Sequence, residues 1–312
     1  MQINKPVFVS GYSRSGGTLM VTILDAHPEI AMSYELYPDM LMSLVEYPGT
    51  GFKRLFYRML RKRMSAGRLV SLLKGSKDMK SASKRIPDKS LRTYVLRCQR
   101  GGLDNRELAW LLLLHINEGM AFSCVRERLK FIERCGLEKM KKTGKSHWGM
   151  KCTNQYDDYL AMWPNAYFIN IIRDGRDVLA SQMHTGSFDK DPTGIARGWV
   201  STHMKFRKLV DDPRVNACEV YYEKLVSQPE EEVVKICQFL NVPFEKEMLD
   251  YYHKDLTIYS GAAGHLSLKR ISKPIDNSMI GRWKKDLTGQ QLDEFYSVAK
   301  EAMEAFGYMG EN

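Results

Sequence analysis

The 312-residue sequence holds no C-x-x-C pair, no apolar run long enough to cross a bilayer, and no internal repeat or low-complexity tract. Six cysteines, Cys98, Cys124, Cys135, Cys152, Cys218 and Cys237, lie far apart. Their spacing disfavours a zinc centre, and a chain of this length buries a full core without covalent staples. The longest uncharged apolar stretch, Leu108 to Ile116, contains His115 and is much shorter than the ~20 residues a spanning helix needs. Met1 to Pro6 leads straight into an apolar segment with no secretory hydrophobic region. These absences predict a soluble, cytoplasmic chain with reduced cysteines and no bound metal.

Negative charge is scarce in one segment. Residues 53–100 carry 16 lysines and arginines against two acids, Asp78 and Asp88, within a chain whose overall charge is +10. The remainder is therefore net acidic, and the basic excess is local. Phe52, Leu55, Phe56, Met59 and Leu60 recur at helical spacing, which predicts an amphipathic helix with a basic outer face. An anionic membrane surface or an acidic acceptor would suit that face. Nucleic acid is not expected, because the segment has neither a reader motif nor an aromatic stacking pattern.

The most informative stretch present is Val7-Phe8-Val9-Ser10-Gly11-Tyr12-Ser13-Arg14-Ser15-Gly16-Gly17-Thr18. An apolar strand runs into a small-residue turn and then a helix start, a geometry that aims backbone N–H groups at an anion. Gly11, Gly16 and Gly17 allow close backbone approach, while Ser15 and Thr18 offer hydroxyls to phosphate oxygens. Compared with the phosphate loop G-x-x-x-x-G-K-[ST], Gly11, Gly16 and Thr18 fit, but Gly17 replaces the lysine and the cation is Arg14. The loop suits a 5′-phosphate bearing a different transferring group from that of an ordinary nucleoside triphosphate enzyme.

Along the chain, strands are predicted at residues 6–10, 147–151 and 167–172, and helices at 18–26, 155–162, 177–184, 194–210, 229–240 and 288–306. A mainly helical insertion spans about residues 38–145, broken at Pro48-Gly49, Gly75-Ser76 and Gly101-Gly102. Strands alternating with helices predict one α/β domain over residues 1–312: a three-layer fold with a central, mainly parallel sheet and helices on both faces. Ligands then sit at the carboxyl ends of the strands.

The loop and first helix, GYSRSGGTLMVTILDAHPEI, resemble those of PAPS-dependent sulfotransferases, and within them the tyrosyl-protein sulfotransferase branch. Tyr167 to Ser181 resembles the strand, turn and helix that bind the 3′-phosphate in that family, and Val220 to Val226 a third strand of its core. The resemblance implies a P-loop-like fold and PAPS as sulfate donor, with PAP as product. It further implies Lys151 as a catalytic lysine and Glu35, 21 residues beyond Arg14, as the base for the acceptor hydroxyl. The histidine that cytosolic small-molecule enzymes carry two residues after that lysine is replaced here by Thr153. His27 is an alternative base, better read as a structural residue before Pro28.

Arg14 and Lys151 are expected at the leaving oxygen, where charge builds up during transfer. Ser15, Gly16, Gly17 and Thr18 are expected around the 5′-phosphate, and Arg173 and Ser181 at the 3′-phosphate. Tyr221 or Tyr222, with Tyr221 preferred, and Lys273, with Lys269 and Arg270 as competitors, are expected against the nucleotide. An aspartate after an apolar strand, Asp174, leaves open a P-loop kinase reading with Mg²⁺ on that carboxylate.

The 115 residues between Glu35 and Lys151 exceed what the tyrosyl-protein branch uses, and this region walls the acceptor pocket in the family. Leu36, Tyr37, Met40, Leu41, Trp110, Leu111 and Phe122 are candidate linings for a steroid or lipid alcohol, the preferred acceptor. A tyrosine peptide or a carbohydrate is the alternative.

Overall fold

β1 (Val7–Ser10) is buried along its whole length, and a strand enclosed in this way must pair on both edges and be covered on both faces. A computed structural model of the chain describes residues 5–44, 64–185, 190–259 and 267–309. In it β1 pairs with β3 (His147–Lys151) on one side and β4 (Tyr167–Ile172) on the other, while β2 (Ile30–Ser33) and β5 (Asn216–Tyr221) form the edges. The order is β2-β3-β1-β4-β5, and every pairing is parallel. This is the expected fold class.

Successive side chains of a strand point to opposite faces, and the two faces of β1 bury different partners. Phe8 belongs to a cluster with Trp148, Met150 and Phe168, and this cluster continues into the helical insertion. Val7 and Val9 pack on the other face with Met20, Val21 and Leu24 from the first helix, Gly17–Asp25. A third cluster gathers Ile172, Trp199 and Phe295 around the helices Gly175–Met183, Pro192–Val210 and Gly289–Ala305.

The insertion is helical where described: Ala66–Lys74, Met79–Lys84, Lys89–Arg100, Asn105–Asn117 and Val125–Thr143. The breaks expected at Gly75 and Gly101 fall at helix ends, but Pro48-Gly49 and the amphipathic segment Phe52 to Arg63 lie outside the described residues. A buried ion pair ties this insertion to the sheet. Lys139 Nζ contacts both oxygens of Asp25, at 2.9 and 2.8 Å, and donates to the Met32 carbonyl, while Asp25 accepts from the Met32 amide at 2.8 Å.

Two elements depart from the sequence reading. β2 was not expected, and it carries the chain from the first helix to Glu35. The strand placed at Val220 to Val226 ends at Tyr221 and gives way to a helix, Tyr222–Ser227.

Among the described residues, no helix is long and apolar enough to cross a membrane.

Candidate active site

Parallel strands bring their carboxyl ends to one edge of the sheet, so Ser10, Ser33, Lys151, Ile172 and Tyr221 all finish on the same side. In the register, Val9 lies opposite Lys151 and Ile169. A cavity of about 820 Å³ opens there, within the ~300–1,000 Å³ of small-molecule sites. Arg14, Gly16, Gly17, Thr18, Glu35, Lys151, Arg173 and Ser181 all line it. It is one continuous space, lined from Glu35 and Lys151 to Arg173.

The loop forms a tight turn in which the Ser15 amide donates to the Tyr12 carbonyl at 3.1 Å. Gly16 stands at φ 102°, and a Cβ there would lie 2.6 Å from the Tyr222 ring. Only glycine serves at that position. Ser15 is fully buried, and its Oγ has no hydrogen-bond partner among the described residues. Ser15, expected at the 5′-phosphate, is therefore enclosed beneath the loop and does not line the cavity, whereas Gly16, Gly17 and Thr18 do.

At one end of the cavity, Glu35 follows β2. Its Oε1 meets Lys151 Nζ at 2.7 Å and its Oε2 meets Arg97 Nη2 at 2.9 Å. Arg97 Nη1 also donates to the Glu35 carbonyl at 2.9 Å. At the other end, Arg173 stacks 4.6 Å over Tyr222 and donates to the carbonyls of Arg14 (3.2 Å) and Met279 (2.6 Å). Its buried Nε has no partner among the described residues.

Arg14 does not join Lys151 at Glu35. It donates to Ser181 Oγ at 3.0 Å and Ser267 Oγ at 3.3 Å, so the loop cation and the serine expected at the 3′-phosphate meet each other. Burial, and then repulsion from Arg173, Arg270 and Arg282, push the Arg14 pKa down. Four arginines thus gather at this end of the cavity, with Asp177 3.7 Å from Arg173, Asp286 paired with Arg282 and Asp276 on the wall.

Of the residues expected against the nucleotide, Tyr221 and Lys273 do not line the cavity, whereas their alternatives Tyr222 and Arg270 do. Tyr222 faces the cavity, whereas Tyr221 turns to the other side, 6.1 Å from the Tyr308 ring and under Lys224. Because the strand ends at Tyr221, the next residue begins the helix and points back over the loop. Lys273 is exposed and does not line the cavity; its amide donates to the Arg270 carbonyl at 3.2 Å and its carbonyl accepts from the Tyr251 hydroxyl at 2.8 Å. Arg270, one turn earlier, lines the cavity instead. The rest of that loop, Gly264 to Leu266, lies outside the described residues.

Arg282 also lines the cavity. Asp177 holds its segment in place, accepting from the Gly281 amide at 2.9 Å and the Trp283 amide at 3.0 Å. Asp174, the candidate Mg²⁺ ligand, caps the next helix through the Arg176 amide and pairs with the Arg176 guanidinium at 2.7 Å. It is not part of the cavity wall. His27 uses both ring nitrogens locally, Nδ1 accepting from the Glu29 amide and Nε2 donating to the Pro243 carbonyl, which makes it structural.

The apolar acceptor lining did not materialise. Leu36, Leu41, Leu111 and Phe122 are buried in the core, and Trp110 is 54% exposed on the surface. Among those candidates only Tyr37 reaches the cavity. The wall there comes instead from the Lys89–Arg100 helix, whose Leu91, Tyr94, Val95 and Cys98 are buried while Lys89, Thr93, Arg97 and Arg100 line the cavity. Spacings of four, four and three residues put the second set on one stripe. Sequence reasoning missed these residues, although the basic excess and the apolar i, i+3, i+4, i+7 pattern both signal them.

The fold and this carboxyl-edge cavity define an α/β protein with a glycine-rich strand-to-helix loop and a cavity lined by several cations. The sequence profile of the sulfotransferase family matches residues 6–246, and the chain belongs to that family. A protein-tyrosine sulfotransferase of Drosophila melanogaster is 23% identical over 303 residues, covering 94% of this chain and 50% of that protein. Protein-tyrosine sulfotransferase 2 of Gallus gallus is 20% identical over 309 residues, covering 94% and 67%. The chain thus spans about half the length of the first curated relatives it matches. The solved sulfotransferase domain from the Synechococcus PCC 7002 olefin synthase shares the fold with a TM-score of 0.59 at 16% identity, covering 100% of this chain and 98% of that one.

Proposed function

We propose that the chain is a PAPS-dependent sulfotransferase whose acceptor is a tyrosine hydroxyl in an acidic peptide. One observation carries the reading: a single cavity joins the Lys151–Glu35 pair to a cluster of cations around Arg173. Arg14, Arg173, Arg270 and Arg282 supply the charge that a ribose 3′-phosphate needs, with Ser181 as a hydroxyl partner. The backbone of Gly16 and Gly17 and the Thr18 hydroxyl, all on the cavity wall, suit the 5′-phosphate. Tyr222 supplies an aromatic face beside the loop.

When bound, the donor supplies a sulfuryl group that leaves its 5′-phosphate oxygen as the acceptor oxygen bonds to sulfur, with PAP as the product. Lys151, bordering Gly17, places a cation near that leaving oxygen. Glu35 takes the acceptor proton, acting through position between its two cations. Protein and ligand groups held in line account for transfers of this kind with little covalent participation by the enzyme.

The wall opposite the loop favours a tyrosine peptide over a sterol. Lys89, Arg97 and Arg100 present cations where a lipid alcohol would need apolar cover, and the relatives named above are protein-tyrosine sulfotransferases. Incubation with labelled PAPS and a panel of acidic tyrosine peptides, sterols, phenols and glycans, read by mass, tests this. Peptides gain one sulfuryl group and sterols remain unmodified; sterol modification with inert peptides would overturn the acceptor assignment.

A further inference from the structure

Glu35 is held by cations from two different parts of the chain. Lys151 ends β3, and its Nζ lies 3.6 Å from where a Cβ on Gly17 would stand, as well as 2.7 Å from Glu35 Oε1. It therefore borders both the carboxylate and the phosphate loop. Arg97 comes from the basic insertion and touches Glu35 twice, at Oε2 and at the backbone carbonyl. The planar guanidinium fork thereby fixes the carboxylate relative to its own main chain, which a lysine ammonium would do less well. The Tyr37 and Tyr34 rings border that guanidinium at 5.1 and 5.8 Å.

Resting on the reading above, we infer that Arg97 is a positioning residue for Glu35. Lys151 borders the phosphate loop as well as Glu35, whereas Arg97 grips Glu35 at both its carboxylate and its carbonyl and rests on Met40 Sδ at 3.6 Å, so the carboxylate keeps its orientation at the acceptor end if Lys151 turns toward the loop. The arrangement has a cost. A cation at Oε2 opposes protonation of Glu35, so Arg97 gives geometry at the expense of basicity. The insertion thus carries part of the transfer machinery as well as the acceptor wall.

Four variants test this: Arg97→Gln, Arg97→Lys, Glu35→Gln and the double variant Glu35→Gln/Arg97→Gln. They are assayed for PAP affinity by calorimetry, for melting temperature, and for kcat against pH with a tyrosine peptide. Arg97→Gln should bind PAP within about twofold of the parent chain while its kcat falls about tenfold or more, and Arg97→Lys should recover part of that loss. The acid limb of kcat should move to higher pH in Arg97→Gln. The double variant should be no slower than Glu35→Gln alone, because Arg97 acts through that carboxylate. Losses that multiply in the double variant, an unmoved acid limb, or a fall in PAP affinity or melting temperature matching the fall in kcat would overturn the inference. Parent-like turnover by Glu35→Gln would instead overturn Glu35 as the base, a separate failure.

Discussion

Tyr222 shows how much depends on one residue's direction. Its ring packs against Gly16 on one side and carries the Arg173 guanidinium at 4.6 Å on the other, so it supports both the phosphate loop and the principal cation of the far end. A cation–π contact of this partly buried kind contributes on the order of 1–2 kcal/mol, and loss of the ring also frees Arg173. Tyr222→Ala should weaken PAP binding about tenfold, and Tyr221→Ala should stay within about twofold. Titration calorimetry of the two variants checks this, and equal losses would contradict the assignment. The sequence could not separate the pair, because adjacent residues exchange faces and the choice turned on whether the strand stopped at Tyr221 or later. That Arg173 and Ser181 border one cavity was legible for the opposite reason: a turn and one helix face fix their separation. Arg14 was located correctly in the loop, but its direction toward Ser181 was not readable, since it depends on a contact between residues 167 apart in sequence.

At the scale of elements, the phosphate loop and the strands β1, β3 and β4 were readable from apolar runs bounded by turn residues. β2 was not. It is four residues long and follows a helix after only a few residues, and its strand character comes from pairing with β3 rather than from local propensity. Yet β2 determines where Glu35 sits, and its position is secured by Asp25 and Lys139. That pair is buried, with side-chain exposures of 4% and 2%. Removing Lys139 leaves Asp25 with Lys145 alone, 3.9 Å away, and breaking a buried pair typically costs about 3–5 kcal/mol. Lys139→Ala should therefore lower the free energy of unfolding by about that amount, measured by urea denaturation. A loss below about 1 kcal/mol would show that the insertion is anchored by its apolar contacts instead. The Lys89–Arg100 helix gives a complementary lesson. Its two stripes were present in the sequence, but which stripe the cavity would use depended on how the whole insertion packs across the carboxyl edge.

Across the whole molecule, the charge distribution and the fold act together. The parallel sheet gathers loop, lysine, arginine and glutamate at one edge. Cations from the core and from the basic insertion then meet in one cavity: core arginines gather at the Arg173 end, and beside Glu35 the core's Lys151 joins Arg97 of the insertion. The core of this arrangement was legible because three separated blocks each carry residues whose roles need one another. The acceptor wall was not, because the apolar candidates were judged by type, while burial in the core had already claimed most of them.

The central claim is that the cavity is built for a nucleotide with a 3′-phosphate, held by Arg173, Ser181 and their neighbouring arginines. Titrating the chain with PAP and with ADP, both in the absence of Mg²⁺, tests it most directly. PAP should bind more tightly by at least about tenfold, since a charge-assisted contact to the extra phosphate contributes roughly 1.5–3 kcal/mol. Equal affinities, or tight ADP binding that appears only with Mg²⁺, would contradict it.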